Sequence, residues 1–317
     1  MSVKQIMLVA MFMGFSLLAV AAPKMAGGNV LGGTQEEDAV TLEDRKKAYV
    51  VEGEYVVPVG KTLTIKEGVT VLFMKGAGLL VQGELSVEGA TNAPVVFNGK
   101  STGIGYWAGI KIEKSNSSDI SCAVISGAKD GVTFSNCEAA IRKSVLYRND
   151  VGIRCNEGKP TIEDCVIAQN RGDGIAIFRS HPQIDHCLID KNGGLGVGGV
   201  YYAHATLANS IVSNNRKGGV KSELWDCHVS AKECAFLNNK GFEVESGTGC
   251  PWDFTENFWG DGMTGFLKAR GCNVRLPKIK DKRHGDSGLG LVDVNKFLLK
   301  MPEDCGPREC VRVKGVN

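Results

Sequence analysis

The sequence predicts an all-β chain: a single right-handed parallel β-helix, a solenoid with coils of about 22 residues, closed by a C-terminal capping tail. Three observations carry this. Glycines that open short apolar strands stand at Gly109, Gly131, Gly152, Gly174, Gly196, Gly219 and Gly241, in steps of 22, 21, 22, 22, 23 and 22. A column of small residues, Ser144, Cys165, Cys187, Ser210 and Cys234, keeps the same beat. Five residues behind each member stands an asparagine, at Asn149, Asn170, Asn192, Asn215 and Asn239. A fixed period of this size marks stacked repeats. Strands this short cannot stand alone, so each must hydrogen-bond to the coils above and below, about 4.8 Å away.

Composition agrees. With 43% hydrophobic and 23% charged residues in 317, the chain can bury a sizeable core. Its 41 glycines and 7% aromatics suit short strands and tight turns better than helices. The formal charge of +2 excludes a strongly basic body, and no nucleic acid is expected as a partner. Only the tail is basic, with 12 Lys/Arg against 6 Asp/Glu from Gly262 to Asn317.

Residues 1–22 read as a signal peptide: Lys4, an apolar run from Ile6 to Val20, then the small-x-small Ala19-Val20-Ala21. The run is shorter than the roughly 20 residues a spanning helix needs. The mature chain is therefore expected outside the cytoplasm, whether secreted, periplasmic or at the cell surface, with no transmembrane segment. Residues 23–48 read as an N-terminal extension, 49–260 as the β-helix and 261–317 as cap and tail.

Inside one block, Gly152-Ile153-Arg154-Cys155 leads through a polar turn to Pro160-Thr161-Ile162-Glu163-Asp164-Cys165-Val166-Ile167. The next block repeats it from Gly174 to Ile189 with the same alternation. Small Cys and Ser side chains fit a crowded interior. Stacked Asn amides can hydrogen-bond to each other and to turn backbone, and Asn tolerates the left-handed geometry of a sharp corner. The 11 cysteines are an odd number for a compartment that oxidises thiols. Cys227, Cys250, Cys272, Cys305 and Cys310 gather where regular coils give way to the tail, and disulfides are expected to staple the cap there, with Cys305 and Cys310 a natural short loop.

Beyond periodicity, three stretches are distinctive: the opening Tyr55-Val56-Val57-Pro58-Val59-Gly60 continuing to Val71, then Trp107-Ala108-Gly109-Ile110, and the closing Asn257-Phe258-Trp259-Gly260. Through them the chain, over about residues 50 to 300, resembles the bacterial right-handed parallel β-helix repeat proteins of the pectate-lyase-like superfamily. The resemblance implies a tail running through Ile279, Asp281, Val292-Asp293 and Phe297-Leu298 that folds back over the last open coil. It implies no activity, because this fold carries lyases, hydrolases, epimerases, adhesins and proteins without a known reaction.

Candidate sites follow. A uronate lyase of this fold would hold calcium with clustered acidic residues beside a basic proton acceptor. The opening strands offer Arg154, Lys221, Glu223, Glu243 and Glu245, without a cluster of aspartates. The paired-carboxylate and Asp-Pro-His-Asp signatures of related hydrolases and epimerases are missing. His181-Pro182-Gln183-Ile184-Asp185-His186 repeats Lys159-Pro160-Thr161-Ile162-Glu163-Asp164, which favours scaffold.

Six residues ahead of the Cys/Ser column stand Glu138, Lys159, His181, His204 and His228, which puts three imidazoles in line at a turn, able to bind a metal, stack on sugar rings or titrate together, although no accompanying motif supports a dedicated metal site. The aromatic platform candidates are Tyr106, Trp107, Phe178, Tyr201, Tyr202, Trp225, Trp252 and Trp259; most read as packing, whereas Tyr201 and Tyr202 follow the glycine-rich Gly193–Gly199 stretch and are placed to flank a groove. Trp107 and Trp259 read as packing. The sequence thus points first to a non-catalytic protein whose long faces bind a polysaccharide or cell-surface component, with neither metal nor cofactor. A polysaccharide-active enzyme, lyase before hydrolase and then with calcium, is the alternative, and a structural or adhesin segment a third.

Overall fold

The computed structural model describes residues 29–316 except 201, 223–225, 248 and 287; of 200 only the backbone is described. The signal peptide over 1–22 lies outside the described residues, as do Tyr201 and Glu223. About ten parallel coils stack into a right-handed solenoid. Each regular coil has three strands, as in Val151–Gly158, Thr161–Glu163 and Val166–Ala168, one on each face. The second face is a nine-stranded sheet. The first and third join into a 19-stranded one, because Tyr49–Val57 pairs with strands of both.

Corners are made by residues held left-handed. In that coil they are Glu157, Asp164 and Gln169, with φ of 63°, 51° and 55°. The left-handed residue of the third-face corner is therefore the one before each ladder asparagine (Arg148, Gln169, Lys191, Asn214, Asn238), not the asparagine itself. The amide's task is hydrogen bonding. Asn170 donates through its N–H (3.1 Å) and its Nδ2 (2.9 Å) to Oδ1 of Asn192, Asn192 likewise to Asn215, and Asn215 to Asn239. Each Nδ2 donates also to a backbone carbonyl of the preceding coil, as from Asn192 to Ile167 at 3.0 Å. All of these groups are buried, where an unpaired amide would be costly.

The glycine column packs on this ladder. A Cβ at Gly174 would stand 2.8 Å from Nδ2 of Asn192, from Gly196 O and from Ile189 Cγ2, so glycine is required there for space. The register aligns Val220 with Val244, which puts Glu243, and not Gly241, opposite Gly219. The regular column therefore ends on a glutamate. Apolar stacks such as Ile141, Ile162 and Ile184 fill the centre, and ring stacks reinforce both ends: Phe73 on Trp107 at 4.0 Å and Phe236 on Trp259 at 5.0 Å.

The solenoid is longer than residues 49–260. In the stretch expected to be an extension, Val30–Thr34 and Ala39–Leu42 pair with Tyr49–Val57 and Thr62–Lys66, so the first coil begins there. After the helix Gly260–Arg270, Ile279–Lys280 adds to Val244–Glu245 and Val292–Asp293 to Trp252–Asp253, closing the last coil as the resemblance implied. Buried Asp281 pins this cap by accepting from Arg283 Nε (2.9 Å) and from the Val292 N–H (3.1 Å).

The final residues do something the sequence did not announce: they run back along the outside of the third face. Gly306 N–H donates to Asn209 O, Arg308 grips Asp164 and Glu163, Glu309 pairs with Lys143, and the Gly315 carbonyl accepts from Gln169. Val311 and Val316 cover an outward apolar stripe that includes Val124, Val145 and Val166.

Candidate functional site

On the first face, Thr133, Arg154, Ala176, Gly198, Lys221 and Glu245 are hydrogen-bonded neighbours in one outward row. Ala176 and Gly198 interrupt the long side chains. Beside Arg154 they leave a cleft of about 440 Å³, lined also by Asn156, Asp173, Phe178 and Leu195, and Lys221 is not part of its wall. Bareness of the strand is what makes this hollow: a Cβ at Gly198 would stand 3.1 Å from Oδ2 of Asp173.

Asp173 is fixed, since its Oδ1 accepts the Leu195 N–H at 2.7 Å. Arg154 is fixed too. It grips Asp130 with both arms, Nε to Oδ2 at 3.1 Å and Nη2 to Oδ1 at 2.9 Å. Its hydrogen bonds to Asp130 raise its pKa against the opposing effect of burial, and the charges of Asp173 and Asp150 add to the rise. Arg154 is thus a permanent cation and donor, not a proton acceptor. Phe178 stands at the rim with 42% of its surface exposed.

The other candidate catalytic residues do not converge here. Lys221 Nζ lies 3.7 Å from Oε2 of Glu245, whose Oε1 is held by Lys280 at 2.8 Å. That charged chain is three coils from Arg154, about 14 Å. Glu243 is not on this face at all. It is 2% exposed, turned inward, and accepts from Asn239 Nδ2 at 2.5 Å, taking the place of the next ladder amide. Lys278 Nζ lies 3.5 Å from its other oxygen. Sequence periodicity missed this because the next coil is irregular and leaves the glutamate room.

The imidazole column forms as expected, round the corner from the cleft. His181 stacks on His204 with centroids 4.8 Å apart and planes at 8°, and His228 follows at 6.3 Å, tilted. Partial burial, then His204 and Lys159, lowers the pKa of His181. His204 Nε2 is 3.1 Å from the Asp226 carbonyl. Lys159 stands exposed at the head of this column. Tyr202 holds the same corner left-handed (φ 46°) and is 49% exposed, but it does not line the cleft. Among the described residues, no group of three His, Cys, Asp or Glu side chains is placed to hold a metal ion.

The cysteines are free. Cys305 and Cys310 do not pair as the short loop suggested: Cys305 Sγ donates to Ser210 O and Cys310 Sγ to Ser144 O, on two separate coils of the third face. Burial pushes the Cys234 thiol up to about 12 and that of Cys305 to about 11, so both stay protonated and inert. Asp173 and Asn156 are the cleft residues sequence reasoning missed. Asp173 precedes the column glycine Gly174, a position occupied by Val151 and Leu195 in the neighbouring coils.

Fold and cleft together define a parallel solenoid with a cleft on its first face. The right handed beta helix region family matches residues 91–250, just over half of the chain, and the protein belongs to that family. No curated protein and no solved structure matches it. No helix among the described residues is long and apolar enough to cross a membrane.

Proposed function

We propose that this protein is an exported carbohydrate-binding solenoid that holds an uncharged polysaccharide along its first face without cleaving it. The reading rests on exposed Phe178 at the rim of a cleft whose other walls are Arg154, Asp173 and Asn156. An aromatic face beside a few fixed polar groups is the arrangement that grips a sugar: C–H faces lie on the ring while hydroxyls meet planar donors and acceptors. Arg154 stands among Asp130, Asp150 and Asp173, so the cleft has no surplus of positive charge to attract a uronate chain. Binding of this kind requires no cofactor. Turnover is disfavoured because Arg154 cannot act as a base, and Lys221 and Glu245 are too far along the face to help it.

The test is retardation of the mature protein in affinity gels cast with neutral and acidic polysaccharides, with and without calcium. Neutral glycans should retard the wild type, and Phe178→Ala should weaken retardation about tenfold with an unchanged melting temperature, the loss of one stacking contact and its buried area. Unsaturated-uronate absorbance or new reducing ends, abolished by Arg154→Ala, would replace this reading with an enzymatic one.

A further inference from the structure

The corner that carries the asparagine ladder, between the third and first faces, is also a line of positive charge. Arg148 and Lys191 stand just before ladder asparagines, and Arg171, Arg216 with Lys217, and Lys240 stand just after them. Lys129 follows Ala128, whose N–H donates to Asn149 Oδ1 and which holds the ladder position one coil earlier. Because the asparagines are buried, their neighbours point outward, and all seven cations are exposed. Their backbone is held in line: the N–H groups of Arg171, Arg216 and Lys240 donate to the carbonyls of Asn149, Asn192 and Asn215 at 2.8, 2.9 and 2.9 Å. Over six coils this makes a straight ridge about 24 Å long.

Only two of the seven are paired, Arg171 with Asp150 at 2.9 Å and Lys191 with buried Asp190. Lys129, Arg148, Arg216, Lys217 and Lys240 form no ion pair among the described residues. The corner between the second and third faces shows how readily this fold pairs charges. There Lys66 meets Glu88, Arg142 meets Glu163 and Lys232 meets Glu256, each on the next coil. Like charges on adjacent strands cost stability, and a chain with 35 Asp and Glu against 37 Lys and Arg has carboxylates enough to avoid the cost. The unpaired ridge therefore calls for negative charge from outside the chain.

Its shape selects the partner. A convex corner cannot enclose a polymer, but a straight row of cations meets a plane along its whole length. The positions between the cations are Asp150, Gln169, Gly193, Asn214 and Asn238. None is aromatic, so nucleic-acid bases find no stacking platform. None is a large apolar residue, so nothing is available to insert. The tail adds to the same edge: Gln169 Nε2 donates to the Gly315 carbonyl at 2.7 Å, which brings exposed Lys314 next to the ridge. We propose that this ridge docks the protein on an anionic lipid surface, held by charge alone. It uses no residue of the first-face cleft and stands apart from the carbohydrate reading.

Co-sedimentation of the mature protein with vesicles of phosphatidylcholine containing phosphatidylglycerol, against vesicles of phosphatidylcholine alone, tests it. The wild type should bind only the anionic vesicles and be released by added salt. Arg216→Gln, Lys217→Gln and Lys240→Gln together should weaken binding about a hundredfold, at about fivefold for each charge near the surface. Removing three exposed charges from the cap instead, by Lys268→Gln, Arg270→Gln and Lys300→Gln, should weaken it no more than about twofold, because salt screens charges away from the contact. Phe178→Ala should leave vesicle binding unchanged and the ridge variant should leave neutral-glycan retardation unchanged, so the two readings fail separately. No binding to the anionic vesicles, or equal weakening by the two triple variants, overturns the proposal. Binding of polygalacturonate or duplex DNA that needs the ridge, without vesicle binding, would assign the row to a soluble polyanion instead.

Discussion

Glu243 shows how one residue can end a repeat. It stands in register where the five preceding coils have Gly131, Gly152, Gly174, Gly196 and Gly219, and its carboxyl receives the last amide of the asparagine ladder. Burial pushes its pKa up, while the bond from Asn239 and the charge of Lys278 pull it back without cancelling the rise. A carboxyl with a raised native pKa holds its proton more tightly folded than unfolded. Its favourable contribution is then full below the unfolded value, about 4.3, and is lost as pH climbs through the native one. Urea melts of the wild type and Glu243→Gln between pH 4 and 8 should diverge accordingly, with the wild type losing stability relative to the variant as pH rises. Curves that stay parallel would show that the carboxyl titrates alike in both states. The asparagines feeding it were plain in the sequence, because spacing alone reveals a ladder. The glutamate was not, since it belongs to the column by register and its spacing from Gly219 is 24 rather than 22.

Among elements, the tail differs most from expectation. Third-face strands such as Val166-Ile167-Ala168 and Ile211-Val212-Ser213 lack the clean alternation of a half-exposed strand, and that was the legible sign that something covers their outer side. What covers them was hidden, because the tail is held by ion pairs between residues some 145 positions apart. Arg308 is the main clasp. Asp164 is 3% exposed, and burial pushes its pKa up, but the Arg308 bonds outweigh this and hold it below the ordinary range. That contribution is present above about pH 4 and disappears as pH falls through the lowered native value. Arg308→Ala should cost about 1 kcal/mol, within the range for an ion pair with one partner at the surface. The clearer effects should be faster hydrogen exchange at Val311 and new binding of a hydrophobic dye to the uncovered stripe. Unchanged exchange would mean that Val311 and Val316 hold the tail by themselves.

At the scale of the molecule, the fold was almost wholly written in its period, and so was the imidazole column, because stacking turns a sequence step into a spatial neighbour. The cleft was only half legible. Arg154, Lys221 and Glu245 do share a row, but a one-dimensional step does not reveal that two small residues open a hollow between them or that Asp130 disarms the arginine. Stacking also explains the unpaired thiols. Each ladder cysteine is enclosed by the coils above and below, so reagents reach it only through global opening. Labelling the native protein with a water-soluble disulfide reagent should modify Cys250 and Cys272, which are partly exposed, well before Cys155, Cys165, Cys187 or Cys234. Rapid native labelling of these four buried thiols would contradict a tightly stacked interior.

The ladder also has a direction. From Asn170 on, every side-chain amide donates one proton to the following coil and one to a carbonyl of the preceding coil, and the series ends on the Glu243 carboxyl, so each rung is an interchangeable link between the same two kinds of terminus. Length is therefore a free parameter of this architecture. Duplicating the segment between Asn170 and Asn192 would insert a rung whose donors and acceptors are already matched, leaving both ends and the clasped tail of the old coils to adjust by one step. Such a protein can be lengthened or shortened by whole coils through simple gene duplication or loss, and its first face grows or shrinks in the same increments.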